Sequence, residues 1–217
     1  MKKIGLLIPK TNLTVEYELQ YLFNKGFYDY NNICFYVAKL DYKTSYKDNK
    51  EQFLKDLAND VEQKIEDLKY LNVDSFAFFC TSSAIKNEKV SKYLTPAETI
   101  IKVSKDKNIK NCLLITPYND KIGHDVANYL MNNNIVVKKE INLDLLHTKD
   151  YFEYGKNKLE KLIVENYKDE YENVIISCTN LPTLEAIESI KKKININIVS
   201  SNSSMFEIIK EIGGNND

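Results

Sequence analysis

Arginine is absent from this 217-residue chain; all 30 basic residues are lysine. No guanidinium fork is therefore available to grip a carboxylate or a phosphate through two parallel bonds. A carboxylate ligand must be held by backbone N–H groups, hydroxyls, amides or lysine. Histidine is scarce, with only His124 and His147, and neither lies at the segments singled out below. That argues against a Cys-His hydrolase and against a histidine-based metal site. With 6 glycines and 4 prolines, the chain carries no GxGxxG or GxxxxGK(S/T) motif, so nucleotide binding has no support. It also has no Gly/Ser-rich or Pro-rich linker. The longest apolar runs fall well short of the ~18 residues that cross a bilayer. A net charge of −1 offers no basic excess for nucleic acid. These absences point to a cytoplasmic protein with no nucleic-acid partner and no membrane span. MKKIGLLIPK at the start reads as a first strand rather than a signal peptide.

What is present is a repeat. VDSFAFFCTSSA from Val73 and ENVIISCTNLPT from Glu172 are each a hydrophobic run ending in Cys-Thr and a small polar residue. KIGLLIPKTN from Lys3 and KNCLLITPYN from Lys110 form a second pair. Leu6, Leu7, Ile8 and Asn12 fall on Leu113, Leu114, Ile115 and Asn119 at a constant offset. The chain thus reads as two similar halves, each bringing a cysteine to the tip of a buried strand.

Apolar runs near 3–9, 33–38, 73–79, 111–116, 135–141, 173–177 and 196–200 predict strands. Helical periodicity fills the gaps, near 14–25, 48–70, 120–133, 152–168, 182–193 and 203–212. Thr95-Pro96-Ala97-Glu98 predicts a further helix start, with Thr95 as cap, Pro96 in the first turn and Glu98 closing a capping box. Strands alternating with helices imply parallel sheets covered on both faces. The expected architecture is α/β: two pseudo-symmetric Rossmann-like lobes with parallel sheets and an active-site cleft between them. The N-terminal lobe is expected at 1–105 plus 200–217 and the C-terminal lobe at 106–199. Ligands of such sheets bind at the carboxyl ends of the strands.

Of the four cysteines, Cys34 and Cys112 sit inside apolar segments and read as core. No CxxC pair or zinc-finger spacing occurs. Cys80 and Cys178 are the catalytic candidates. Each stands where a strand gives way to a loop-to-helix turn, whose N–H groups are expected to lower the thiol pKa from its free value of about 8.5. Thr81, Ser82, Thr179 and Asn180 follow the thiols and offer hydroxyl and amide donors for a carboxylate or an oxyanion. Asn12 and Tyr118 occupy matching loops at the same sheet edge. Ser200, Ser201 and Asn202 read mainly as caps of the last helix.

The segments IGLLIPKTNLTVEYEL, FFCTSSA, LLITPYND, IISCTNLPT and IVSSN together resemble the aspartate/glutamate racemase superfamily. The likeness is to its maleate cis-trans isomerase and arylmalonate decarboxylase branch and runs over nearly the whole chain. It implies two α/β lobes, no metal and no organic cofactor, a small carboxylic or dicarboxylic acid as substrate, and a homodimer. It implies that Cys80 adds to a double-bond carbon while Cys178 donates or accepts a proton from the other side. It also implies that Asn12 and Tyr118 hold carboxylate oxygens. The decarboxylases keep only the second cysteine, so Cys80 argues against that reaction. The isomerases carry an Asp-Asn pair ahead of a short stretch and a glycine. Here Asp150-Tyr151-Phe152-Glu153-Tyr154-Gly155 stands there, so Tyr151 replaces the asparagine at the substrate's far carboxylate.

The expected function is a cofactor-independent isomerase of a small carboxylic acid, with maleate-like cis-trans isomerisation foremost. An aspartate/glutamate-type racemase using two-thiol proton transfer is the alternative. A non-catalytic small-carboxylate binding protein is the alternative of another class.

Overall fold

Seven strands and eight α-helices alternate along a computed structural model that describes residues 1–214. Strands β1 (Lys2–Pro9), β2 (Ile33–Leu40) and β3 (Ser75–Phe78) form one parallel sheet in the order β2-β1-β3. Strands β4 (Asn111–Thr116), β5 (Val136–Asn142), β6 (Asn173–Ile176) and β7 (Asn197–Ser200) form the second, in the order β5-β4-β6-β7, again parallel. The order 2-1-3 recurs as 5-4-6, so the echo between KIGLLIPKTN and KNCLLITPYN marks the central strands of two equivalent sheets.

Those central strands are continuous apolar runs because helices cover both faces. Ile4, Leu6, Leu7 and Ile8 of β1 and Leu113, Leu114 and Ile115 of β4 are all buried. Helix α2 (Lys50–Lys69) lays Phe53, Leu54, Leu57, Val61, Ile65 and Leu68 on the core. That is the one-sided stripe that its period predicts. Each such fully buried side chain contributes about 1.5–3 kcal/mol. The side chain of Asn49 caps α2 by accepting from Gln52 N–H at 3.0 Å.

Helix α1 (Thr14–Asn24) follows β1, and α4 (Pro96–Asp106) starts with the predicted Thr95 cap and Pro96 in its first turn, but Glu98 bonds the Thr95 hydroxyl rather than closing a capping box on the Thr95 N–H. The Thr95 hydroxyl accepts from Glu98 N–H at 3.3 Å and donates to the Glu98 carboxylate at 2.9 Å. Helices α5 (Asp120–Asn132) and α7 (Leu184–Lys191) belong to the second half. The last helix, α8 (Ser201–Gly214), leaves β7 and packs Met205, Phe206 and Ile209 against Ile4, Leu6, Ile8 and Val15 of the first half. The expected N-terminal lobe runs to 217, and residues 215–217 lie outside the described residues.

Two elements differ from expectation. The turn after Cys80 is a six-residue helix, α3 (Thr81–Lys86), too short to show a period. Helix α6 (Thr148–Asn166) begins four residues earlier than its apolar pattern suggested and kinks at Gly155, whose φ is 63°. That left-handed backbone is open to glycine at little cost. The turn ahead of the kink carries Tyr151.

Candidate active site

The ladders bring the two cysteines to the same place. Beyond β3, Phe79 N–H still donates to Leu7 C=O at 2.8 Å; beyond β6, Ser177 N–H donates to Ile115 C=O at 2.9 Å. The next residues are Cys80 and Cys178, one from each sheet, at the carboxyl edges. Both line a single small cavity of about 40 Å³. Asn12, Ser82, Tyr118, Tyr151, Thr179 and Asn180 also form its wall, together with Pro9, Thr11, Tyr46, Phe53 and Thr148. Larger hollows exist, such as one of about 750 Å³ between α1, α7 and α8, but it contains neither cysteine. The small cavity gathers both thiols with hydroxyl and amide donors.

Thr81 stands apart from the other candidates. Its hydroxyl bonds the Ser201 hydroxyl at 2.8 Å, and the residue is not part of the cavity wall. Thr179, at the matching place after Cys178, lines the cavity and ties it across the halves. Its hydroxyl donates to Phe79 C=O at 2.9 Å, one residue before Cys80. The Asn12 side-chain oxygen accepts from Thr14 N–H at 2.9 Å and Val15 N–H at 3.0 Å, which caps α1. Its amide nitrogen is then directed to the Thr179 hydroxyl at 3.3 Å. Capping and presenting an N–H at the cavity are therefore done by one residue.

Asn180 holds the halves together. It accepts from Leu13 N–H at 2.8 Å and donates to Thr148 C=O at 2.7 Å, while its own C=O accepts from the Thr14 hydroxyl at 2.6 Å. Ser200 and Ser203 exchange bonds at the start of α8: Ser203 N–H donates to the Ser200 hydroxyl at 3.0 Å, and Ser200 N–H to the Ser203 hydroxyl at 2.8 Å.

Sequence reasoning missed Glu18. It lies on the buried stripe of α1 with Val15, Leu19 and Leu22. An acidic residue at i+3 of an apolar face was the available signal. Its carboxylate accepts from Leu184 N–H at 2.8 Å, from Thr183 N–H and from the Asn202 side chain. Asn202 in turn donates to Thr179 C=O at 3.0 Å. Burial pushes the Glu18 carboxyl up to about 7, although these hydrogen bonds pull the other way. Tyr46 and Phe53 were missed as well. Tyr46 stands in the loop between β2 and α2, and nothing in its local pattern marks it. That loop is fastened by Asp56, which accepts from Lys43 N–H at 3.0 Å and Thr44 N–H at 2.8 Å.

The electrostatics reverse one expectation. Burial pushes the Cys80 thiol up to about 11, against the weaker pull of Ser83 N–H and the Ser82 hydroxyl. Burial likewise raises Cys178 to about 12, although the Tyr118 hydroxyl and the Asn180 and Leu181 N–H groups favour its thiolate. Asn180 N–H donates to the Cys178 sulfur at 3.3 Å. The turn N–H groups are where the sequence placed them, but desolvation without a nearby cation outweighs them. Tyr118 is raised well above the usual phenol value by burial, with the two sulfurs adding to the effect. It is a neutral donor. Among the described residues no group of three or more His, Cys, Asp or Glu is placed to hold a metal ion, and no helix is long and apolar enough to cross a membrane.

Fold and cavity together define a class: a two-sheet parallel α/β protein with one buried thiol from each half in a shared site. The chain belongs to the arylmalonate decarboxylase family, whose model matches residues 82–216. A maleate isomerase of Geobacillus stearothermophilus is 20% identical over 234 residues, covering 97% of this chain and 91% of its own. Among solved structures, the maleate isomerase Iso of Pseudomonas putida S16 is similar with a TM-score of 0.87 at 16% identity, covering 97% of this chain and 92% of its own. A cysteine-to-serine variant of the Nocardia farcinica maleate cis-trans isomerase, with a covalently bound succinylcysteine intermediate, gives 0.82 at 14% identity, covering 97% and 91%. Unliganded arylmalonate decarboxylase gives 0.73 at 16% identity, covering 100% and 94%. These likenesses support the branch that the sequence segments resembled.

Proposed function

We propose that this chain is a cofactor-independent cis-trans isomerase of a small unsaturated carboxylic acid, with Cys80 as nucleophile. The observation that carries the reading is one small cavity holding both thiols and no charged side chain. Its size suits an acid of few heavy atoms.

The raised thiol pKa values shape the chemistry. A free thiolate is costly here, so the Cys80 proton leaves as the sulfur bonds. Sulfur attacks one alkene carbon, and the π electrons move towards the adjacent carboxylate, which becomes an enediolate. The sulfur's proton passes to an oxygen of that group, so the total charge in the cavity is unchanged. The former double bond is now single and rotates. The oxygen returns its proton as the carbon–sulfur bond breaks and the π bond re-forms, leaving the trans acid and the Cys80 thiol. Asn12 N–H and the Tyr118 hydroxyl donate to oxygens whose charge grows in the adduct, which is where such donors accelerate reaction. Cys178, on the other sheet, gives its proton to the α-carbon of the enediolate and is reprotonated from the carboxyl oxygen, which makes the adduct a saturated thioether; the same transfers in reverse precede the loss of Cys80. The succinylcysteine seen in the N. farcinica relative supports a covalent route.

Amino-acid racemisation would also use two thiols. It is disfavoured because no Asp or Glu lines the cavity to balance an α-ammonium group. The test is direct. Cis-enoic acids are incubated with the protein and the trans product is followed by proton NMR, with L-aspartate and L-glutamate run in parallel by chiral chromatography. Trans product from the native protein and none from Cys80→Ala is expected. Full turnover by Cys80→Ala refutes the mechanism. Racemised amino acid without any trans acid refutes the isomerase reading.

A further inference from the structure

Two side chains of the cavity wall have buried polar atoms that the rest of the fold leaves unsatisfied. The hydroxyls of Tyr46 and Tyr151 are buried and lack a hydrogen-bond partner. Their residues are 7% and 3% exposed. Proteins rarely leave such groups unsatisfied, because each costs roughly what a lost hydrogen bond does. Here two occur side by side at one site. The Tyr151 ring stands edge-on to Tyr46, with centroids 6.2 Å apart at 86°, and to Tyr118 at 6.4 Å and 66°. Tyr46 is packed edge-on against Phe53 at 5.5 Å and 83°. The rings are thus fixed by their neighbours. The two hydroxyls face each other without forming a well-placed hydrogen bond, and no other group of the fold engages them, so both can turn to a ligand.

We propose that Tyr46 and Tyr151 form a two-phenol subsite for an uncharged carbonyl, an amide or a ketone, carried by the substrate in addition to its carboxylate. The inference rests on the isomerase reading only in taking the substrate to be a cis-enoic acid. Both phenols are donors, held protonated by burial, and a carbonyl oxygen accepts two hydrogen bonds. The argument against a second carboxylate is charge. No Lys or His is among the described residues lining the cavity. Lys50, the cation near Tyr46, lies over its ring at 5.1 Å and is 3.9 Å from the Asp144 carboxylate. A dianion here would place two carboxylates in a small desolvated space with only neutral donors, and their mutual repulsion is weakly screened. An acid with one carboxylate and one neutral carbonyl fills both ends with a single charge. Tyr151 is then a determinant of specificity.

Saturated analogues that cannot add a thiol test this by equilibrium binding. Succinate, succinamate, 4-oxopentanoate and butanoate are titrated calorimetrically into the native protein, Tyr46→Phe and Tyr151→Phe. Succinamate and 4-oxopentanoate are expected to bind at least about tenfold more tightly than succinate. Each Phe variant is expected to lose about tenfold for those two ligands and little for butanoate, which lacks the second carbonyl. Thermal midpoints of both variants are expected to equal or exceed the native value, since only unpartnered hydroxyls are removed. Succinate binding as tightly as succinamate overturns the proposal. So do Phe variants with unchanged affinities, or with midpoints lowered by several degrees. These readouts need no turnover, so they stand or fall separately from the isomerase reading, which fails only if no cis-enoic acid yields its trans isomer.

Discussion

Replacing Glu18 by Gln isolates the titration of one buried carboxyl. Its pKa is raised by burial from 4.5 to about 7. A carboxyl whose folded value lies above its unfolded value binds its proton more tightly in the native state. Its contribution is unchanged below the unfolded value, turns unfavourable as pH rises through the interval, and is constant again above the folded value. Native stability should therefore fall by about 3 kcal/mol between pH 4.5 and pH 7 from this group alone. Gln does not titrate. Its side-chain oxygen still accepts from Thr183 and Leu184 N–H, but its amide nitrogen meets the Asn202 amide and forfeits that bond, at about 1–2 kcal/mol. Glu18→Gln should be less stable than the native protein at pH 5 and level with it or more stable at pH 8. Urea unfolding at a series of pH values reads this directly, and subtracting the two profiles cancels every other titrating group. At 217 residues, a change of 1 kcal/mol corresponds to about 2–4 °C in midpoint, so thermal scans suffice as a second readout. If the variant keeps the native pH dependence, Glu18 is not the group described, and its place as the anchor of the Cys178 turn falls with it.

Cys80→Ala and Cys178→Ala should both fold, with turnover abolished in the first and severely reduced in the second; circular dichroism and the product assay separate folding from function. Alkylation of Cys80 by iodoacetamide at pH 8 should be at least about a hundredfold slower than that of free cysteine, and its rate should climb steadily to pH 10, because thiolate governs the reaction. A plateau near pH 8.5 would contradict the buried, cation-free site. Slow alkylation alone therefore does not distinguish an enzyme from a binding protein here; turnover does. Gly155→Ala should lower stability by about 1–2 kcal/mol through backbone strain alone, since a methyl group there meets nothing within 4 Å. The same variant should weaken ligand binding, because the kink aims Tyr151.

The parallel sheets were legible because their strands are apolar throughout, and the repeat identified the two central ones. The thiols were legible for the same reason: a cysteine directly after a buried strand has nowhere to go but the sheet edge. What sequence could not supply was the state of the space they enter. The turn N–H groups favour a thiolate and were read correctly, yet the absence of a cation and the closure by Tyr46, Tyr118 and Tyr151 are products of distant segments converging. Glu18 was hidden by its neighbours' regularity, an ionisable residue inside an otherwise well-formed helical stripe.

The two Cys-Thr pairs show how far a repeat predicts function. Matching residues of a repeat are expected to share roles, yet the threonines have diverged. Thr81 bonds Ser201 at the root of α8, away from the cavity. Thr179 bonds the backbone just before Cys80 and is itself held through its C=O by Asn202, which answers to Glu18. The cause lies where the halves differ: β7 is a full strand that runs straight into α8, whereas its place in the first half is taken by a single parallel bridge, Ala77 to Leu94, ahead of α4. The first threonine is drawn to the root of α8, while the second meets the other half directly. The cleft is consequently asymmetric, with Cys178 set in a turn anchored by a buried carboxyl and Cys80 opening a short helix. Two chemically identical groups in unlike surroundings suit a reaction in which one sulfur bonds carbon and the other moves a proton better than one in which they exchange roles.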